Sequence, residues 1–147
     1  IINSLYLDAP LLEKNVKERF ERYAIIEEHE TDAELYQCDD AELVVTAYGA
    51  SARVAKSAVM TARKQGLKVG LFRPKTLWPF PKKELNQAIA HASQLLCVEM
   101  SMGQMIDDVR LAINCSRPVA FFGRTGGVIP TPAEVLAEIK KLMGGEA

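Results

Sequence analysis

The sequence holds 147 residues, 48% of them hydrophobic and 25% charged, with a formal net charge of −1; that is enough chain for one domain with a self-sufficient core, and the near-neutral charge excludes a nucleic-acid footprint or a polybasic membrane patch. No apolar run approaches the roughly 20 residues that span a bilayer, and no basic start followed by an apolar core marks a secretion signal, so a cytoplasmic protein is expected. The first residue is Ile1 rather than methionine, which favours a piece of a longer chain.

Asp8-Ala9-Pro10 reads as a helix start, with Asp8 placed to cap free amides and Pro10 where a missing N–H costs nothing. Leu12, Val16, Phe20, Tyr23 and Ile26 then share one helical stripe, while Glu13/Lys17 and Glu18/Arg22 pair at four-residue spacing on a solvated face. Acidic residues crowd the stretch from Glu27 to Glu34. Residues 1–34 are expected to form a helical arm or linker, and residues 35–147 the domain proper.

From Ala41 the rhythm changes. Leu43 to Tyr48 is almost wholly apolar and suits a strand covered on both faces. A helix follows with Ala55, Ala58, Val59 and Ala62 inward and Gly66 as its stop. Leu67 to Phe72 reads as a second strand, Pro81 opens a helix burying Leu85, Ala88, Ile89 and Ala92, and Leu95 to Glu99 reads as a third strand. Ser101 and Gln104 have capping-box spacing ahead of Met105, Ile106, Val109 and Ile113. Pro118 to Phe122 reads as a fourth strand, and Thr131-Pro132-Ala133-Glu134 as a second capping box before Ile139, Leu142 and Met143. Alternating strands and helices predict an α/β fold: a three-layer α/β/α sandwich around a mostly parallel sheet. Leu35 to Cys38 is available as a short edge strand.

Ligands and partners meet such sheets at the carboxyl ends of the strands. After the first strand, Gly49-Ala50-Ser51 bends into a helix whose free amides suit an anion; the plainer reading is a tight turn capped by Ser51. A lone Gly49 is not a dinucleotide fingerprint, and no P-loop pattern occurs. Gly123-Arg124-Thr125-Gly126-Gly127 reads either as a phosphate-approaching loop or as a permissive connection. Glu99, ending a buried strand, reads as a proton-transfer group or, preferably, as the salt-bridge partner of Arg73 or Arg124. Trp78-Pro79-Phe80-Pro81 is a stiff apolar segment, equally suited to anchoring an interface and to filling core. His29 and His91 have no partner at ligand spacing, so no metal site is expected. Cys38, Cys97 and Cys115 are scattered, too few for an iron–sulfur cluster, and read as reduced structural thiols.

Four segments taken together resemble a known family: Val45-Thr46-Ala47-Tyr48-Gly49-Ala50-Ser51-Ala52-Arg53, Phe72-Arg73-Pro74-Lys75-Thr76-Leu77-Trp78-Pro79-Phe80-Pro81, Glu99-Met100-Ser101-Met102-Gly103-Gln104-Met105 and Phe122-Gly123-Arg124-Thr125-Gly126-Gly127. In order and spacing, Ala41 to Leu142 resembles the second domain of the α subunit of 2-oxoacid:ferredoxin oxidoreductases. The resemblance implies a transketolase C-terminal-like domain with a five-stranded sheet whose first strand is antiparallel to the rest, a place Leu35 to Cys38 would fill. It also implies a parent enzyme that decarboxylates a 2-oxoacid on thiamine diphosphate with Mg²⁺, passes electrons through iron–sulfur clusters to ferredoxin, and forms an acyl-CoA. The 2-ketoisovalerate type is nearest, with 2-oxoglutarate and pyruvate types as alternatives. Thiamine diphosphate, Mg²⁺ and the clusters would reside in other parts, so this chain is expected to hold no cofactor and no catalytic residue. Its partners would be the first α domain, the thiamine-binding subunit and the iron–sulfur subunit, with ferredoxin met indirectly. Lys75 departs from the family pattern, where an apolar residue is expected. Interface candidates are Arg73, Trp78, Phe80, Glu99 and Arg124, all following strands and expected to converge on one sheet edge. The competing readings are a free-standing Rossmann-like nucleotide- or anion-binding module and a scaffold without redox links.

Overall fold

The computed structural model describes residues 4–144. In chain order the elements are α1 (Ala9–His29), β1 (Ala33–Tyr36), β2 (Leu43–Ala47), α2 (Gly49–Lys64), β3 (Val69–Pro74), α3 (Lys82–Ala88), β4 (Gln94–Glu99), α4 (Met105–Ala112), β5 (Val119–Gly123) and α5 (Pro132–Leu142). The strands form one sheet in the order β1-β3-β2-β4-β5. β1 runs antiparallel to β3, Leu35 opposite Phe72, and the other pairings are parallel. This is the expected three-layer sandwich.

Two apolar layers hold it together. Val44, Phe72, Leu95 and Cys97 face Leu85 and Ile89 at α3 and Ile106 and Val109 of α4. On the other side Val45, Leu71, Leu96 and Val98 meet α2 and α5. The inward face of α2 is alanine-rich, with Ala52, Ala55, Ala58 and Ala62 buried, so the helix backbone approaches the sheet closely. β2, in the middle, is buried along its whole length, which is why its sequence is an apolar run broken only by Thr46 rather than an alternation.

Several boundaries differ from the sequence expectations. β1 begins at Ala33 and ends before Cys38. It is half-buried throughout, so it offers no alternation from which to read its ends, and Gln37 turns the chain at φ 52°. β3 starts at Val69 and runs to Pro74. Asp8 sits at the start of α1 but makes no side-chain cap. The stripe on α1 is only partly covered: no residue of that helix is buried, Val16 and Ile26 are half-buried, and Phe20 is 64% exposed. The second capping box holds as read, Thr131 and Glu134 bonding each other's backbone, and α2 stops as expected, with Gly66 at φ +85° just past its end.

The β1–β3 edge is locked by Arg63. Its Nε donates to the Val69 carbonyl at 2.7 Å and its guanidinium to the Gln37 carbonyl at 2.6 Å and to Asp40. Against this fixed turn, a Cβ added at Gly70 would lie 2.9 Å from the Gln37 oxygen and 3.0 Å from Cys38 Cα. Gly70→Ala therefore forces two backbones apart and is expected to destabilise the fold by about 1–3 kcal/mol, read as a lowered urea midpoint; an unchanged midpoint would show that the turn after β1 yields freely.

Candidate functional site at the carboxyl edge of the sheet

Glu99 ends β4 inside the protein, 0% exposed. No arginine side chain pairs with its carboxylate, which corrects the expected salt bridge. Its Oε2 accepts from the Ser101 hydroxyl at 2.7 Å and from the backbone N–H groups of Gln104 and Met105, both at 3.0 Å. Its Oε1 accepts from the Ile106 N–H at 3.0 Å and the Cys97 thiol at 3.3 Å. A helix start leaves such amides without intrahelical partners, and the helix dipole adds to their pull on a carboxylate. Burial alone pushes the Glu99 carboxyl up, but the Gln104 amide, the Ser101 hydroxyl and the Met105 amide outweigh it and hold the group below its ordinary value. The Ser101/Gln104 capping box is therefore absent: Ser101 serves Glu99, and α4 begins only at Met105. The hydrogen bonds around Glu99 are those of a carboxylate held in place by the head of α4.

Both arginines pair locally, although the Nε of Arg124 is buried without a hydrogen-bond partner among the described residues. Arg73 donates to Glu34 at 3.2 Å beside Lys56 on the same carboxylate, and these cations hold Glu34 low, the Lys56 hydrogen bond contributing most. Arg124 pairs with Glu134 and lies over the Phe122 ring at 5.7 Å. Arg73 belongs to β3 and Arg124 follows β5, three strands away in the sheet, or roughly 14 Å at about 4.8 Å per strand. The candidate residues share the carboxyl edge but do not gather at one point.

At the head of α2, Tyr48 rather than Ser51 is the N-cap residue, and no side chain caps the helix. Gly49 takes φ +55° to turn the chain, Ala50 is exposed, and Ser51 is buried in the first turn.

The aromatic pair divides. Phe80 packs inward against Phe72 at 6.3 Å. Trp78 is 57% exposed and meets Tyr23 of α1 edge-on at 5.2 Å, with Phe20 next in line at 5.7 Å from Tyr23. The shared helical stripe of Phe20 and Tyr23 was the available signal for this contact, but it names no partner. Between Trp78, the end of α1, α3 and α4 lies a groove of about 510 Å³. Beyond β4 and β5, Met102 (82% exposed), Val128 and Ile129 extend the exposed apolar surface.

Among the described residues no group of three or more His, Cys, Asp or Glu is placed to hold a metal ion, and no helix is long and apolar enough to cross a membrane. Cys38 and Cys97 are buried and Cys115 is exposed. Burial pushes the Cys38 thiol up to about 11 and the Cys97 thiol further in the same direction, so both stay protonated.

Residues 41–135 match the family model described as pyruvate:ferredoxin oxidoreductase core domain II. The chain is 42% identical over 144 residues to ketoisovalerate oxidoreductase subunit VorB of Methanothermobacter marburgensis, a match spanning 98% of this chain and 41% of that protein. It is 38% identical over 106 residues to the 2-oxoglutarate synthase subunit KorA of the same organism, covering 72% of this chain and 28% of that protein. In fold it resembles a 2-oxoglutarate:ferredoxin oxidoreductase from Magnetococcus marinus, solved with 2-oxoglutarate, coenzyme A and succinyl-CoA bound. That likeness has a TM-score of 0.76 and 19% identity over 92% of this chain and 24% of that one. A split-gene transketolase in an inactive β4 tetramer follows at a TM-score of 0.63 and 15% identity, over 79% of this chain and 42% of that one.

Glu99→Gln keeps the shape but loses the charged acceptor of three amides, and is expected to cost about 1–3 kcal/mol at neutral pH. Because the folded carboxyl lies below its ordinary 4.5, its contribution is complete above that value and is lost as pH falls through the lower folded one. Urea unfolding across the acid range should therefore show a shallower acid limb in the variant; equal midpoints at neutral pH would contradict the assignment.

Proposed function

The chain belongs to the pyruvate:ferredoxin oxidoreductase core domain II family, and from that premise we propose that it is a structural and docking domain of a multisubunit, thiamine diphosphate-dependent 2-oxoacid:ferredoxin oxidoreductase. The parent reaction is 2-oxoacid, CoA and oxidised ferredoxin to acyl-CoA, CO₂ and reduced ferredoxin. The chain spans about 41% of the length of the ketoisovalerate oxidoreductase subunits it matches, which is consistent with a domain's share of a longer polypeptide. Within it, α1 serves as the arm and the sheet domain starts at Ala33, the first residue of β1, rather than at residue 35. The 2-ketoisovalerate type is the preferred substrate class, supported by 42% and 44% identity to VorB proteins against 38% to a 2-oxoglutarate synthase subunit.

In the parent enzyme, thiamine diphosphate with Mg²⁺ would supply the electron sink for decarboxylation, and iron–sulfur clusters would supply electron transfer. The described residues do not fit either group. Among the described residues no group of three or more His, Cys, Asp or Glu is placed to hold the metal of a diphosphate site, and two of the three cysteines are buried, protonated thiols. The reading therefore assigns thiamine diphosphate, Mg²⁺ and clusters to the partners: the first α domain, the thiamine-binding subunit and the iron–sulfur subunit, with ferredoxin met only through them.

The observation that carries the docking role is Trp78, a large aromatic left mostly exposed on the loop after β3. Such side chains are typical anchors, contributing about 2 kcal/mol or more to association when buried by a partner. Trp78→Ala should change the unfolding free energy of the chain by less than about 1 kcal/mol, yet prevent co-purification of the full-length protein with its partners. Phe80→Ala, which empties core space, should instead cost about 3 kcal/mol of stability. Normal assembly of the Trp78→Ala protein would overturn the docking reading.

A further inference from the structure

We propose that the head of α2 binds the phosphate group of a small molecule through the amides of Ala50 and Ser51, the Ser51 hydroxyl and the Arg53 guanidinium; this site is separate from the Trp78 loop and does not depend on the docking role. Gly49, at φ +55°, turns the chain from β2 into the helix. The Ala52 N–H is the first to reach back along the helix, to the Tyr48 carbonyl at 3.2 Å. The N–H groups of Gly49, Ala50 and Ser51 therefore precede the hydrogen-bonded ladder. Gly49 and Ala50 are exposed, and nothing lies within 4 Å of where a Cβ on Gly49 would stand. No side chain caps the helix, and no acidic residue stands in its first turn.

Ser51 makes this helix end a site. The residue is only 4% exposed, yet its hydroxyl has no hydrogen-bond partner among the described residues. The oxygen is not sealed in either: the Thr46 hydroxyl is shut away from solvent without a partner, whereas that of Ser51 keeps its contact with water. Helix side chains lean toward the start of their helix, so this enclosed hydroxyl opens at the head of α2, beside the free amides. Polar groups so enclosed ordinarily have a protein partner; here the open direction leads outward, to a ligand. Arg53 supplies the charge. It is exposed and forms no ion pair among the described residues. It follows Ala50 by three residues, so it shares that face and leans toward the same end. The helix dipole adds its own preference for an anion. A phosphate monoester carries nearly two negative charges and three acceptor oxygens. At an open surface it gains more from a dipole and a guanidinium fork than a single, well-hydrated carboxylate does.

The test is a titration of the isotope-labelled chain, followed by the NMR shifts of its amides, with inorganic phosphate and separately with glycerol 3-phosphate. The pH is mildly alkaline, so that both anions are doubly charged, and chloride holds the ionic strength constant. Saturable shifts are expected at the amides of Ala50 and Ser51, and acetate should not reproduce them. Tighter binding of glycerol 3-phosphate assigns an esterified phosphate as the ligand; equal or tighter binding of inorganic phosphate assigns the free ion. Ser51→Ala and Arg53→Gln should each weaken the binding roughly tenfold. The thermal midpoint should hold in both, because alanine suits a helix and the Arg53 side chain is exposed. Absence of a saturable shift with both phosphates, an equal shift with acetate, or unweakened binding by the two folded variants overturns the proposal.

Discussion

A carboxylate carried into the interior must find partners or give up its charge, and at Glu99 the partners are almost all neutral dipoles. Three amides at the head of α4 and the Ser101 hydroxyl close around it. That closure fixes the path of residues 100–104 and so the point where α4 begins. It also reaches β5: the Arg124 N–H donates to the Glu99 carbonyl at 3.1 Å, and the space beside Gly123 is filled by the Ser101 carbonyl, 2.6 Å from where a Cβ would stand, and by the Phe121 ring. The ends of β4 and β5 and the start of α4 are therefore one interlocked unit with a single buried charge at its centre.

The remaining charges of the carboxyl edge follow a similar local logic. Arg73 and Lys56 share Glu34, Lys75 meets Asp32, and Arg124 meets Glu134. These pairs are partly exposed, so each adds little to stability, but each ties its loop to a neighbouring element. The polar groups are largely engaged in holding the loops, whereas large apolar side chains, Trp78, Met102, Val128 and Ile129, are left facing outward. A rigid edge that presents apolar groups suits recognition of another polypeptide surface better than acid–base chemistry.

Much of this was legible in the sequence because the physics is local. The apolar run at β2, the alanine face of α2, Gly66 and the Thr131/Glu134 box each report their own structure, and the sandwich follows from their order. The misreadings arose where the deciding partner is distant or unexpected in kind. A glutamate after a buried strand invites a search for a cation; the actual partners are backbone amides, and Ser101 and Gln104 imitate a cap at the same spacing. The apolar stripe of α1 was read without a partner, because periodicity shows which residues share a side but not whether anything covers it. Arg124 and Trp78 follow strands as expected, whereas Arg73 lies inside β3, which runs on to Pro74; the separation of these residues depends on strand order, which the residues themselves do not encode locally.

Hydrogen–deuterium exchange on the free chain and on the full-length assembly tests the central claim that a pre-formed carboxyl edge meets a partner. The account predicts slow exchange at Gln104, Met105 and Ile106 already in the free chain, where Glu99 holds their amides, and additional protection on assembly in the segment from Leu77 through Phe80. Fast exchange at those three amides in the free chain, or assembly protection confined to the outer faces of α2 and α5 with Leu77 through Phe80 unchanged, would contradict it.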